Sequence, residues 1–324
     1  MRAIRCVEWG GPERLRLEDI PEPVPGPGEV RLRVHAAGVN FPDYLIIQRK
    51  YQVRPELPFT PGAEVSGTVL ETGPGVTRLR RGERVAAFVS LGGFAEEVIA
   101  REAACFPLPD HVDDAVGAAF LLTYGTTWHA LADRAALRRG ERLLVLGAAG
   151  GVGLAACDIG RHLGAEVIAA ASSAEKLALC REYGASETID YTAEDLRAGI
   201  ARASAGAGPD VIYDPVGGDF AEPAFRAIAW RGRYLVIGFA AGKIPALPLN
   251  LPLLKGASLV GVFWGDHMRR EPALYAEETA SLLAAIAAGQ LKPLVSHRYR
   301  LEEAATALTD MAARTVRGKI VIVP

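Results

Sequence analysis

The chain is predicted to be an α/β protein in which a doubly wound parallel sheet is inserted into a β-rich domain. Three observations predict it. From about Leu121 onward, short apolar runs alternate with helical segments at regular spacing. Before that point, from Met1 to about Ala119, short alternating strands are punctuated by prolines and glycines, as at Pro21–Gly28 and Gly73–Gly75. Near the carboxyl end, Gly318–Val323 is a strand set apart from the βα alternation, so it is expected to return to the first domain. At 324 residues the chain is long enough for two domains. The boundaries are placed at 1–121 and 265–324 for the β-rich domain and 122–264 for the inserted one.

In the first part, Glu29–Ala36 alternates Val30, Leu32 and Val34 against Arg31, Arg33 and His35, the period of a half-buried strand. Val65–Glu71 and Arg84–Val89 are further strands. The second part reads as six strands, the first four each followed by a helix. Its strands are Arg142–Leu146, Glu166–Ala171, Glu187–Asp190, Asp210–Tyr213, Arg233–Ile237 and Ser258–Phe263. The helices between them are Val152–Leu163, Ala174–Tyr183, Ala193–Ser204 and Phe220–Ala229. Uninterrupted apolar strands are what a sheet covered on both faces requires. The tail adds helices at Leu274–Ala288 and Leu301–Ala313.

The segment LLVLGAAGGVG, Leu143–Gly153, carries most of the functional information. An apolar strand runs into glycines and then into a helix, the context in which a glycine turn meets a dinucleotide. Backbone N–H groups of Ala149, Gly150, Gly151, Val152 and Gly153 are placed to face a pyrophosphate at a helix N-terminus. Gly150 lets the backbone approach the phosphates, and Gly153 lets the helix pack on the strand. In the G-x-G-x-x-G pattern the first glycine position is Ala148. An acidic residue at the end of the second strand would mark a free ribose 2′-hydroxyl. That strand ends at Ala171 and is followed by Ser172 and Ser173, with Lys176 one turn into the next helix. Hydroxyls and a cation favour a 2′-phosphate, and Tyr191 after the third strand adds a phenol. NADPH is therefore the expected cofactor.

Composition narrows the field. Half the residues are hydrophobic, 23% are charged and the net charge is −2, so no nucleic-acid partner is indicated. No apolar run approaches the roughly 18 residues of a membrane span, and the N-terminus has no apolar signal core. Cys6, Cys105, Cys157 and Cys180 are scattered without metal-binding spacing, which suits structural thiols in a reducing cytoplasm. None of the six histidines is read as pairing with a carboxylate or cysteine at ligand spacing. No metal ligand set is expected. Neither a G-x-S-x-G elbow nor a P-loop occurs.

The stretches AAGVNFPDYLIIQRKY (36–51), LPFTPGAEVSGTV (57–69), TYGTTWHAL (123–131), VLGAAGGVG (145–153), VIYDPVGG (211–218), RYLVIGFAAG (233–242) and GKIVIV (318–323) resemble the zinc-free quinone oxidoreductases, the zeta-crystallin-like group of medium-chain dehydrogenases/reductases. They span nearly the whole chain in order. The resemblance implies a GroES-like catalytic domain around a Rossmann domain, with NADPH and an electron-poor acceptor meeting in the cleft between them. It implies nicotinamide contacts at Thr126, Phe239, Ala240 and the Phe263–Gly265 stretch, and a 2′-phosphate set at Ser172, Lys176 and Tyr191. It also implies a homodimer joined through the sixth Rossmann strand, 258–263. Relative to the zinc alcohol dehydrogenases, the catalytic cysteine position is Asn40. The histidine of their Gly-His-Glu motif is Ala63, between Gly62 and Glu64.

Without a Lewis acid to hold an alkoxide, a conjugated carbonyl acceptor is favoured, because its own π-system spreads the incoming charge. The expected activity is hydride transfer from NADPH to a quinone. Asn40 is the candidate donor to the acceptor oxygen and Tyr51 the candidate proton donor. Asp43 is read as a helix-start carboxylate, and Glu64 as a buried, paired group. Reduction of an enone or enoyl thioester is the alternative activity. NADPH binding with little turnover, as in a sensor or structural protein, is a further alternative.

Overall fold

The computed structural model describes all 324 residues. The strands in chain order are β1 (Arg2–Cys6), β2 (Leu15–Asp19), β3 (Glu29–Gly38), β4 (Glu64–Thr72), β5 (Arg84–Phe88), β6 (Glu97–Arg101), β7 (Cys105–Pro107), β8 (Arg142–Leu146), β9 (Glu166–Ala171), β10 (Ala185–Asp190), β11 (Val211–Asp214), β12 (Arg233–Val236), β13 (Ser258–Gly261), β14 (Val295–Arg300) and β15 (Lys319–Val323). The chain divides into two units. One comprises Met1–Leu122, Thr279–Gly289 and Pro293–Pro324, and the other Thr123–Glu278 with Gln290–Lys292. The second unit thus runs on past residue 264, because helix Trp264–Arg270 and the first turns of helix Pro272–Ala287 belong with it.

The first unit is built on a sheet ordered β14-β15-β3-β4-β5-β7, with β6 also paired to β3, plus the β1–β2 hairpin. Val30, Leu32 and Val34 point inward, as their alternation requires, and meet Val65, Val85, Phe94 and Ile47. The late strand β15 does return here. It runs antiparallel to β3, with Val321 opposite Gly38 and Ile322 opposite Ala37, and adds Ile320 and Ile322 to the core. Its partner β14 was not foreseen, since VSHRYR is largely exposed and shows no apolar stripe.

The second unit is a six-stranded parallel sheet ordered β10-β9-β8-β11-β12-β13. Leu144, Leu146, Ile168, Ile212, Phe225 and Tyr234 form its core. Strands β8 and β9 have the predicted limits. The last strand stops at Gly261, two residues short of the expected end, and helix Trp264–Arg270 follows. Helix Leu121–Trp128, continued by a π-helical turn at His129–Arg134, was also unforeseen. Polar contacts tie it to helix Gly151–His162 and to strand β11. The Tyr124 hydroxyl donates to Asp158 Oδ2 at 2.9 Å, and the Thr127 and Tyr213 hydroxyls meet at 2.9 Å.

Candidate functional site

In the second unit the glycine turn between β8 and helix Gly151–His162 is built as the sequence suggests, with one change. The residue that bends the chain is Gly147, at φ +61°, rather than the position of Ala148. A Cβ on Gly153 would lie 2.3 Å from the Gly147 carbonyl oxygen and 2.8 Å from Ala148 Cα, so only glycine allows the helix to pack this closely. A Cβ on Gly150 would meet nothing nearer than 3.4 Å, so that side of the turn is open. Gly150 is the N-cap and supplies no side-chain acceptor to the helix. The first N–H groups of the helix, Gly151, Val152 and Gly153, thus keep the donor capacity that an anion uses. Ala149 is buried in the turn itself.

The ribose end follows from strand order, since β10 lies beside β9. Ser173 caps helix Ala174–Glu182 by accepting from the Lys176 N–H at 3.3 Å, and Lys176 Nζ donates to Ser172 Oγ at 3.3 Å. Tyr191 leaves β10 beside them, its N–H on the Ala171 carbonyl and its ring 4.8 Å from Phe220. The carboxylate nearest in sequence, Asp190, accepts from the Thr192 N–H and hydroxyl, which hold it below the usual carboxylate range. No carboxylate follows β9 directly. Two hydroxyls, a phenol and an ammonium therefore surround the strand ends, and this donor set fits a phosphorylated ribose.

At the other end of the same sheet edge, Phe239 and Ala240 follow β12, and Phe263 and Gly265 follow β13. The Ala240 N–H is fixed on the Pro215 carbonyl at 3.0 Å. Phe239 and Phe263 are exposed, at 37% and 56%. Thr126 is half-buried on helix Leu121–Trp128. The residue that joins these segments is Gly125, which the sequence reading missed. A Cβ there would lie 2.8 Å from the Trp264 indole, so the bare backbone lets helix Trp264–Arg270 dock beside Thr126.

In the first unit, Asn40, Asp43, Glu64 and Lys319 form one buried polar cluster. Asn40 is the N-cap of helix Phe41–Ile46, and its N–H donates to Asp43 Oδ2 at 2.8 Å. Lys319 enters from β15. Its Nζ donates to the Val39 carbonyl at 2.8 Å, to Glu64 Oε1 at 2.8 Å and to Asn40 Oδ1. Asn40 Nδ2 donates to Glu64 Oε1 at 2.9 Å and to the Gly38 carbonyl at 3.3 Å. Glu64 Oε2 accepts from the Leu122 N–H at 3.0 Å. A Cβ on Gly38 would fall 2.1 Å from the Ala118 carbonyl oxygen and 2.6 Å from Glu64 Oε1, which makes that glycine a condition of the cluster.

This geometry alters the reading of Asn40. Both amide hydrogens already have protein acceptors, and the residue is 4% exposed, so it is held as a positioning group rather than presented as a donor to an acceptor oxygen. Glu64 is buried and paired, as expected. Asp43 is fully buried, its Oδ1 has no hydrogen-bond partner, and burial pushes its carboxyl up to about 7. Tyr51 packs against the core of this unit, and burial together with Asp43 raises its phenol above the ordinary value. The phenol therefore stays protonated through neutral pH. Lys319 was missed because a lysine opening an apolar strand looks like a solvated end.

One expectation is overturned. His129 and His267 do pair with carboxylates at helical spacing: His129 Nδ1 lies 3.0 Å from Asp133 and His267 Nδ1 lies 2.7 Å from Glu271, each four residues on. The repeats H-A-L-A-D and H-M-R-R-E carried that signal in the sequence.

Known proteins match this chain over its length. A family model described as Alcohol dehydrogenase GroES-like domain matches residues 26–110, and one described as Zinc-binding dehydrogenase matches 151–281. A quinone oxidoreductase-like protein 2 homolog of Nematostella vectensis is 38% identical over 99% of this chain and 88% of its own length. The Pseudomonas aeruginosa quinone oxidoreductase is 36% identical over 100% of this chain and 99% of its own. The chain belongs to the quinone oxidoreductase family of medium-chain dehydrogenases/reductases. Among solved structures, Escherichia coli quinone oxidoreductase complexed with NADPH superposes with a TM-score of 0.93 at 28% identity, over 100% of both chains. The fold of this family member is accordingly a GroES-like domain plus a Rossmann-like nucleotide-binding domain, and the chain is an oxidoreductase. No helix in it is long and apolar enough to cross a membrane.

Proposed function

We propose that this oxidoreductase passes hydride from NADPH to a quinone without a catalytic zinc. The observation that carries this reading is the cluster around Lys319. Where the zinc alcohol dehydrogenases place metal ligands, this chain has Asn40 and Ala63. The neighbouring carboxylate, Glu64, spends its oxygens on Lys319, Asn40 and the Leu122 N–H. Such a set offers no ligand triad for a Lewis acid, so an acceptor that delocalises its own charge suits it. Relatives named quinone oxidoreductase support the same class of acceptor.

NADPH supplies the hydride when bound. The helix start at Gly151–Gly153 would hold its pyrophosphate, with Ala149 and Gly150 in the turn. Ser172, Ser173, Lys176 and Tyr191 would hold the ribose phosphate. Thr126, Phe239, Ala240, Phe263 and Gly265 would border the nicotinamide. Tyr51 keeps a proton at its hydroxyl oxygen for the reduced acceptor. Asn40 fixes the start of helix Phe41–Ile46 and acts through position.

The chain is further proposed to be a cytoplasmic homodimer. Four buried free cysteines support a reducing compartment. The edge strand β13 and its surroundings support self-association, because Ile244, Leu249, Leu253 and Leu254 are 66–79% exposed and Leu259 is 41% exposed.

The test is NADPH oxidation by purified protein with 1,4-benzoquinone and a trans-2-enoyl thioester in parallel, and NADH as cofactor control. Turnover with the quinone supports the proposal. Preference for the thioester moves the assignment to enoyl reduction, and NADPH binding without turnover moves it to a sensor. Lys176→Glu is expected to weaken NADPH by about 100-fold while barely changing NADH, from loss of a charge-assisted contact and added repulsion. Equal losses for both nucleotides would remove the ribose-phosphate assignment.

A further inference from the structure

One cluster in the second unit has no part in the function proposed above. His129 on the π-helical turn, His267 on helix Trp264–Arg270 and Glu278 on helix Pro272–Ala287 bring ligand atoms within 4.8 Å of one another. The histidines are 5% and 4% exposed, and their rings stack at 4.1 Å with planes 13° apart. His267 Nε2 lies 2.8 Å from Glu278 Oε2, while its Nδ1 contacts Glu271 at 2.7 Å. Although His129 is buried, its Nδ1 makes no hydrogen bond. Asp133 stands 3.0 Å away, off the hydrogen-bonding direction.

Two imidazoles and a carboxylate from separate helices form the nitrogen and oxygen set that zinc and its neighbours prefer. The outer contacts fit as well. A metal-bound histidine usually gives its remaining N–H to a carboxylate, and Glu271 stands at the Nδ1 of His267 for that service. Asp133 and Glu271 have side chains 40% and 56% exposed, so they give the buried nitrogens a polar edge toward solvent. We propose that His129, His267 and Glu278 form a site for a zinc-class divalent cation, separate from the cluster around Asn40.

The ion takes the place of the proton between His267 Nε2 and Glu278. Parallel rings do not aim their in-plane lone pairs at one point, so the His129 ring must turn about its Cβ–Cγ bond as the ion enters. The ligand atoms then close to about 3.3 Å apart, the spacing around a tetrahedral zinc. Water completes the fourth position. The bound ion ties the helix bearing Thr126 to the helices that follow Phe263.

The test uses the full chain, stripped with chelator and titrated with Co(II) and with Zn(II). About one equivalent should bind with micromolar or tighter affinity, giving visible cobalt d–d absorption of tetrahedral strength and raising the melting temperature. Glu278→Gln and His267→Gln should each weaken binding at least roughly tenfold and abolish the thermal shift. If His267→Gln does not fold, Glu278→Gln and the wild-type stoichiometry decide. Absence of stoichiometric binding by the wild-type chain, or equal affinity in Glu278→Gln, would overturn the site.

Discussion

Replacing Lys319 by Met tests the buried cluster most directly. The ammonium has three acceptors: the Val39 carbonyl, Asn40 Oδ1 and Glu64 Oε1. Methionine fills much of the volume but leaves Glu64, 0% exposed, with hydrogen bonds from Asn40 and the Leu122 N–H and no opposing charge. Removing one partner of a buried pair costs about 3–5 kcal/mol, mostly for the uncompensated charge left behind. For a unit of this size each kcal/mol shifts the melting temperature by about 2–4 °C, so a fall of roughly 10 °C is expected. Calorimetry reads that fall, and urea titration gives the free energy. Adding Glu64→Gln to Lys319→Met removes the stranded charge and should recover at least about half of the loss. A single variant within about 1 kcal/mol of the parent chain, or a double variant no better than the single one, would refute the reasoning.

Three further outcomes follow from the same structure. Asp43 titrates near 7 in the folded chain against 3.8 ordinarily, so the folded chain binds the extra proton between those values. Stability should therefore fall as pH rises from about 4 to about 7, by up to about 4 kcal/mol, and Asp43→Asn should flatten that slope in melting curves taken across the range. Gly153→Ala puts a Cβ 2.3 Å from the Gly147 carbonyl and should cost about 1–3 kcal/mol, whereas Gly150→Ala makes only an ordinary 3.4 Å contact with that oxygen and should keep its melting temperature while weakening NADPH at least tenfold in a binding titration. Leu253→Asp with Leu254→Asp should convert a dimer to a monomer in sedimentation analysis without lowering NADPH affinity, since both leucines are more than 60% exposed.

How much of this was legible in the sequence depended on the range of the interaction. Strands β8 and β9 are covered on both faces, so they appear as unbroken apolar runs and their limits were read correctly. The glycine turn was legible because its constraint is local. Even there the bend falls on Gly147, which a spacing pattern centred on Ala148 does not reveal. Strand β14 was hidden by its exposure. The Lys319 cluster was hidden by distance, since its partners Asn40 and Glu64 lie 279 and 255 residues away along the chain. Local pattern contains no trace of such a contact. Gly125 was missed for a related reason: its need for a bare backbone comes from Trp264, far along the chain. The histidine and carboxylate pairs at four-residue spacing were visible, but they resemble ordinary solvated helix faces until burial is known.

The placement of β15 also bears on how the chain is made. During synthesis every strand of the parallel sheet, β8 to β13, has emerged from the ribosome well before residue 319. That sheet can close while the first unit still lacks the strand that fills its edge and the cation that neutralises Glu64. The β-rich unit is thus completed after the parallel sheet, and until then the Ala37–Gly38 end of β3, which pairs with β15, is left as an open edge.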